Sequence, residues 1–213
     1  MDEKRIKQII NLNKKFYQQM GKKFAETFNK PWKGWDRAVK HIKNDEMSVL
    51  DLGCGDGRFY EYLSQKFPDI KYVGLDINND VLDVARKKYG NDKFFNIDVF
   101  SDLKEIQDKF DLIVAFGVTH HIPDKYFRKK WFLSLVDLLN RKGILVLTFW
   151  DFKDDPGNYL SDSLDRKDAI RFCHQYSGKE LNKIIKRYEK ANLKLLDQFR
   201  EDNTNEYLVF GKL

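Results

Sequence analysis

The chain has 213 residues, 42% hydrophobic and 34% charged, with 17 Phe, 10 Tyr and a formal net charge of +6. This length and apolar content suit one α/β domain burying about 70% of its unfolded surface, and no apolar run reaches the roughly 18 residues of a membrane span. Cys54 and Cys173 are too few for a disulfide framework and Met1 to Lys7 has no apolar signal-peptide core, so a cytoplasmic protein with no membrane partner is expected.

Ile9, Phe16, Met20 and Phe24 fall on one face of residues 3–27 and Lys4, Lys7, Lys14, Lys15 and Lys22 on the other, predicting an amphipathic cover helix. Pro31 ends it and a second helix spans 35–43, so that 1–46 make a helical cover. Residues 48–52 read as a strand entering the turn Gly53-Cys54-Gly55-Asp56-Gly57, then helix 58–66, strand 71–76 and helix 80–89. The alternation continues with strand 93–96, a weak helix near Lys104, strand 110–116, helix 125–140 and strand 144–150. Such repetition implies a Rossmann-like, doubly wound sheet with helices on both faces.

Residues 151–177 are polar, carry Pro156 and Gly157, and are expected to form a loop with a short helix over 168–175, inserted above the site. Residues 178–191 are helical, and strands 194–200 and 206–212 flank Glu-Asp-Asn-Thr-Asn, which has the composition of a hairpin turn. The expected domain is therefore single: helical cover 1–46, nucleotide core 47–150, insertion 151–177, and closing helix and hairpin 178–213.

Asp51 precedes glycines at alternate positions, and Arg58 stands where a dinucleotide G-x-G-x-x-G fingerprint has its third glycine. G-x-G-x-G after an acid suits a cofactor with an amino acid part and no phosphate, S-adenosylmethionine, bound around Asp51, Gly53, Cys54 and Gly55. Asp76, ending the second strand, can accept from both ribose hydroxyls, or can cap the next helix. Asp98 can accept from the adenine amino group with the Val99 backbone reading the ring, or can be a surface turn residue. Ile77 can pack on the adenine, and Phe116, ending the fourth strand, meets the crevice where the strand order reverses.

The order and spacing of residues 47–150 resemble the class I S-adenosylmethionine-dependent methyltransferases, which implies a seven-stranded sheet ordered 3-2-1-4-5-7-6 with an antiparallel last strand. Phe24-Ala-Glu-Thr27-Phe-Asn-Lys30-Pro31-Trp32 and Arg171-Phe-Cys-His174-Gln-Tyr176 are similar to segments of the tRNA wobble-uridine carboxymethyl methyltransferases. Gly117-Val-Thr-His120-His121-Ile is similar to that family's V-x-H-H pattern. The resemblance implies methyl transfer by in-line displacement onto a carboxymethyl oxygen of tRNA, and a small activator subunit as partner. His121, His174 and Arg171 then bind and orient the acceptor, His120, Trp150 and Tyr176 support it, and Trp32 lids the cofactor.

Residues 1–50 carry 12 Lys/Arg against 6 Asp/Glu, and 166–200 carry 10 against 4, which suits RNA or an ordinary solvated surface. A small-molecule O- or N-methyltransferase with the same core stays open. So do plainer roles: capping or packing for the paired histidines, pairing of Arg171 with Asp168, and core packing for the tryptophans. No metal is expected, since no Cys, His or carboxylate cluster shows ligand spacing.

Overall fold

Strands that are apolar at nearly every position, not at alternate ones, have to be covered on both faces. In the computed structural model, residues 1–27, 30–43, 46–101, 103–151, 155–163, 166–202 and 205–213 are described, with side chains for all of these but 22–27, 161–163, 166–168 and 202. The side chains of Lys22, Phe24, Thr27 and Asp168 thus lie outside the described residues, as do Phe28 and Asn29 of the Phe24 to Trp32 segment.

The strands are β1 (Met47–Leu52), β2 (Ile70–Asp76), β3 (Phe94–Asn96), β4 (Phe110–Ala115), β5 (Leu139–Trp150), β6 (Gly157–Ser163), β7 (Arg166–Gln175), β8 (Leu193–Asp202) and β9 (Asn205–Lys212). Seven of them form one sheet in the order β3-β2-β1-β4-β5-β9-β8. With the sheet strands numbered alone this is the predicted 3-2-1-4-5-7-6. β1 runs parallel to both β2 and β4, so the order reverses beside it, and β9 is antiparallel to β5 and β8.

The helices are α1 (Glu3–Thr27), α2 (Trp35–Val39), α3 (Arg58–Ser64), α4 (Asn79–Tyr89), α5 (Lys125–Leu138) and α6 (Gly178–Lys190). Strand alternation splits the core between the two faces of the sheet. Leu50, Leu52, Ile113, Leu145 and Leu147 pack with α5 and α6 residues such as Phe132 and Tyr188. Val49, Leu112, Val114 and Val146 pack with Trp35, Phe59, Leu82 and Ala85 of α2, α3 and α4. No helix among the described residues is long and apolar enough to cross a membrane.

The segment over the site corrects the sequence reading. In place of a loop with a helix over 168–175, β6 and β7 pair as an antiparallel hairpin, with Asn158 opposite His174 and Leu160 opposite Phe172. Residues 169–174, Ala-Ile-Arg-Phe-Cys-His, carry no period-two alternation, and all of them but Ile170 are buried, so pairing with β6 and not a local pattern makes this segment a strand. Ala169 packs with Phe16 and Met20, and Arg171 lies over the Phe16 ring at 4.9 Å, so the odd-numbered face of β7 receives α1. That helix is a cover as predicted, laid on this hairpin.

Candidate active site

The glycine turn follows β1 because its backbone must enter the left-handed region: Gly53 has φ 78°, Gly55 φ 55° and Gly57 φ 78°. The Gly53 and Cys54 amides donate to the Leu75 carbonyl at 2.7 and 3.0 Å, hooking the turn to β2. A Cβ on Gly53 would stand 2.5 Å from Val118 Cγ2, whereas one on Gly55 would meet nothing within 4 Å. The space beside Gly55 belongs to a cavity of about 620 Å³.

Two carboxyls from adjacent strand ends face it. Asp76 accepts from the Gly55 amide at 3.0 Å and from the Asn78 amide at 2.9 Å, and its burial raises its pKa. Asp51, 2% exposed, accepts from the Tyr72 hydroxyl. Burial, with Asp76 adding repulsion against the Tyr72 hydrogen bond, pushes its pKa up to about 7. A buried acid held back from ionising is a site for a cation. A ligand carrying an ammonium and a sulfonium fits this wall, and Ile77, Phe116 and Trp32 add apolar surface to the cavity. Trp32 stands 5.9 Å from Phe116 and is stacked at 6.3 Å on Trp35. Cys54 also lines the cavity, buried at the turn.

Asp98 lies elsewhere than predicted. It is half-buried in the turn after β3, where its Oδ1 accepts from the Phe100 amide at 2.9 Å, and it is not among the residues lining the cavity. Val99 does line it, together with Phe100, which the sequence reading missed. The Val99 carbonyl already accepts from the Trp131 indole at 2.7 Å.

Across the cavity, the end of β4 is tied to β5 by Thr148, whose hydroxyl accepts from the Gly117 amide at 2.8 Å. This sets the short turn Thr119–His121 at the rim. His120, His121, Trp150 and Arg171 all line the cavity there, joined by Asn13 and Tyr17 from α1. His121 Nδ1 faces the Phe172 carbonyl at 3.0 Å and therefore carries the proton, leaving Nε2 to accept from the Tyr17 hydroxyl at 2.6 Å. Arg171 Nη1 donates to the same hydroxyl at 2.9 Å. Burial first, then the Arg171 charge, depresses His121 to about 3, and burial with the His121 neighbour holds His120 well below 6.5, so both rings are neutral. His120 stacks 4.4 Å from Trp150, and its Nδ1 is buried with no hydrogen-bond partner among the described residues.

His174 and Tyr176 lie outside this group, contrary to expectation. A helix would have set Arg171 and His174 on one face; a strand puts them on opposite faces. His174 is bonded to Asn158 at 2.7 Å and Glu180 at 3.1 Å. Tyr176 donates to the Thr119 carbonyl at 2.9 Å and packs at 4.9 Å on Phe149, supporting the histidine turn from beneath.

The fold also gathers ligand atoms of His120, His121 and Cys173 within 4.8 Å of one another, a cluster invisible in the sequence. It does not suit a cation. Both His121 nitrogens are engaged, and the Arg171 charge that depresses both histidines repels a metal ion equally.

Comparison with known proteins agrees with this geometry. A model described as "Methyltransferase domain" matches residues 22–198. A tRNA (guanine-N(7)-)-methyltransferase of Clostridium acetobutylicum is 26% identical over 73% of this chain and 80% of its own length. A trans-aconitate 2-methyltransferase of Escherichia coli is 31% identical over 53% of this chain and 42% of its own. The crystal structure of magnesium protoporphyrin IX methyltransferase from Synechocystis PCC 6803, with S-adenosylmethionine bound, superposes with a TM-score of 0.68 at 15% identity, covering 96% and 97% of the two chains. With a glycine turn beside the buried Asp51 and the half-buried Asp76 at a sheet switch point, and a family model spanning most of its length, the chain belongs to the methyltransferase domain family and is an S-adenosylmethionine-dependent methyltransferase.

Proposed function

We propose that the methyl acceptor is a carboxylate oxygen, presented by the carboxymethyl group of a tRNA wobble uridine. The observation that carries this reading is the charge polarity of the cavity, with Asp51 and Asp76 on the glycine side and Arg171 among aromatic rings on the other. The cofactor supplies a methyl group on a cationic sulfonium.

Asp51 and Asp76 would hold its polar groups, and Ile77, Phe116 and Trp32 its adenine. Arg171 presents a planar fork that matches a carboxylate bidentately and orients one oxygen toward the methyl group. A carboxylate is already ionised at neutral pH, so no base is needed, and the two neutral histidines serve as dry walls that favour meeting of opposite charges. The lysines of α1 and the similarity to a tRNA methyltransferase support RNA as the carrier. Under this reading the enzyme is cytoplasmic and works with a small activator subunit.

A second reading is a small free carboxylic acid. It is favoured by α1 and the β6–β7 hairpin, which supply one wall of the cavity, and by the trans-aconitate relative. The test is methyl-labelled cofactor incubated with tRNA lacking the terminal methyl ester, or with trans-aconitate and related di- and tricarboxylic acids. Alkali-labile label in tRNA supports the first reading and label in an acid the second. Label in neither overturns the carboxylate assignment.

A further inference from the structure

The rim of the cavity opposite the glycine turn is held by a chain of hydrogen bonds that runs in one direction. Arg171 donates to the Tyr17 hydroxyl at 2.9 Å, Tyr17 donates to His121 Nε2 at 2.6 Å, and His121 Nδ1 donates to the Phe172 carbonyl at 3.0 Å. The chain closes through α1. Asn13, one helical turn before Tyr17, donates to that same carbonyl at 3.1 Å and accepts from the Phe172 amide at 2.7 Å. A strand peptide whose amide and carbonyl are both satisfied by one side chain is fixed in register with the helix that carries it.

We infer that Tyr17 is a positioning residue for methyl transfer: its hydroxyl joins Arg171 and His121 into one donor chain, so the acceptor wall is complete only when α1 is docked. The Tyr17 ring adds an edge contact to His121 at 5.2 Å and lies 6.0 Å beneath the Arg171 guanidinium. Both partners are thus fixed in orientation as well as distance. The direction of the chain has a chemical consequence. His121 Nε2, its basic atom, is committed to Tyr17, so His121 acts by holding Tyr17, and Tyr17 in turn holds the Arg171 guanidinium that lines the cavity. Burial pushes the Tyr17 hydroxyl up to about 12, which keeps it protonated and able to donate at every physiological pH.

The inference rests on methyl transfer at this cavity and not on the acceptor being a carboxylate, and its first readout needs no acceptor. Nitrogen-15 spectra of the histidine rings are recorded for the full-length protein and for Tyr17→Phe, which keeps the ring and removes the hydroxyl. In the unsubstituted protein His121 is expected as a neutral ring protonated at Nδ1, with a hydrogen-bonded Nε2, from pH 5 to 8. In Tyr17→Phe the Nε2 resonance should move to the position of a free lone pair, while cofactor affinity by calorimetry changes less than about twofold. Transfer efficiency on the acceptor that takes label in the preceding assay should fall roughly 10- to 100-fold, as for the loss of a bond to a charged group. An unmoved His121 resonance overturns the inference, as does a moved one with undiminished transfer. Should Tyr17→Phe fail to fold, Asn13→Ala keeps the hydroxyl and loosens α1. There His121 should show two exchanging Nε2 environments, and a single unshifted one overturns the coupling. Failure of every acceptor leaves the ring spectrum readable, so the two proposals fail separately.

Discussion

At the scale of single residues, the cofactor side of the cavity holds an acid against its own preference for water. Burial raises the folded Asp51 carboxyl from 3.8 to about 7, so the folded apoprotein binds that proton more tightly than the unfolded chain does. Its contribution to apoprotein stability is present below about pH 4 and is lost as pH rises from about 4 to 7. Asp51→Asn keeps the shape, removes the buried charge and should raise the apoprotein Tm at pH 8, by about 2–4 °C for each kcal/mol recovered. The same variant should bind S-adenosylmethionine roughly 10- to 100-fold more weakly, since a charged partner is lost; a variant with unaltered affinity would remove Asp51 from the site. For the unsubstituted protein, calorimetric affinity should be flat above about pH 7 and fall below it by up to tenfold per unit, following the one proton that must leave Asp51. Arg171→Lys tests the other side. A point charge without the planar fork should lower transfer efficiency about 10- to 100-fold with cofactor affinity unchanged.

At the scale of elements, what could be read from the chain was whatever is decided locally. The glycine turn, Asp51 and Asp76 were legible because strand ends, an acid and alternating glycines are neighbours in sequence, and the sheet followed from the alternation of apolar strands with helices. The acceptor wall was not. Tyr17 reaches His121 across 104 positions and Arg171 across 154, and on a helical wheel Tyr17 is simply one more aromatic of a cover helix. The hairpin was missed because Ala169 to His174 carries no period-two pattern and becomes a strand only by pairing with β6; the resemblance had grouped His174 with Arg171, and a strand sets the two on opposite faces. Docking of α1 itself is exposed to test at Gly21, where a Cβ would stand 1.9 Å from Asn78 Nδ2. That amide donates to the Tyr17 carbonyl, and the Asn78 side chain caps α4 by accepting from the Asp80 amide. Gly21→Ala must therefore push the helix away or break a cap worth about 1 kcal/mol. Hydrogen exchange over residues 5–20 should quicken while β1 and β4 stay protected; unchanged exchange would mean that α1 is not held at this point.

At the scale of the molecule, the distribution of charge separates the two acceptor readings. Net charge is +6, and 12 of the basic residues fall in the first 50 positions, so the element that supplies Asn13 and Tyr17 to the cavity is also the most cationic. Lys4, Lys7 and Lys15 are exposed and Lys14 is half-buried, and among the described residues none of the four is in an ion pair. On the helical wheel Lys7 and Lys14 flank the face carrying Ile10, Asn13, Tyr17 and Gly21, which lines the cavity. A phosphate backbone laid along α1 would then deliver a base to the cavity, and each phosphate contact would add roughly 0.7–0.9 to the slope of log affinity against log salt. Replacing Lys7, Lys14 and Lys15 together by Gln should lower that slope for tRNA by about 2 to 3. It should weaken tRNA binding at 50 mM salt far more than at 300 mM, and leave affinity for the cofactor unchanged. If the acceptor is instead a small acid, the triple variant should turn over as fast as the unsubstituted enzyme at every salt concentration, because solvated lysines on a cover helix do no work on a ligand already inside. A slope that does not change would assign the cationic face to solubility and leave α1 its packing on the hairpin and its bonds from Asn13 and Tyr17.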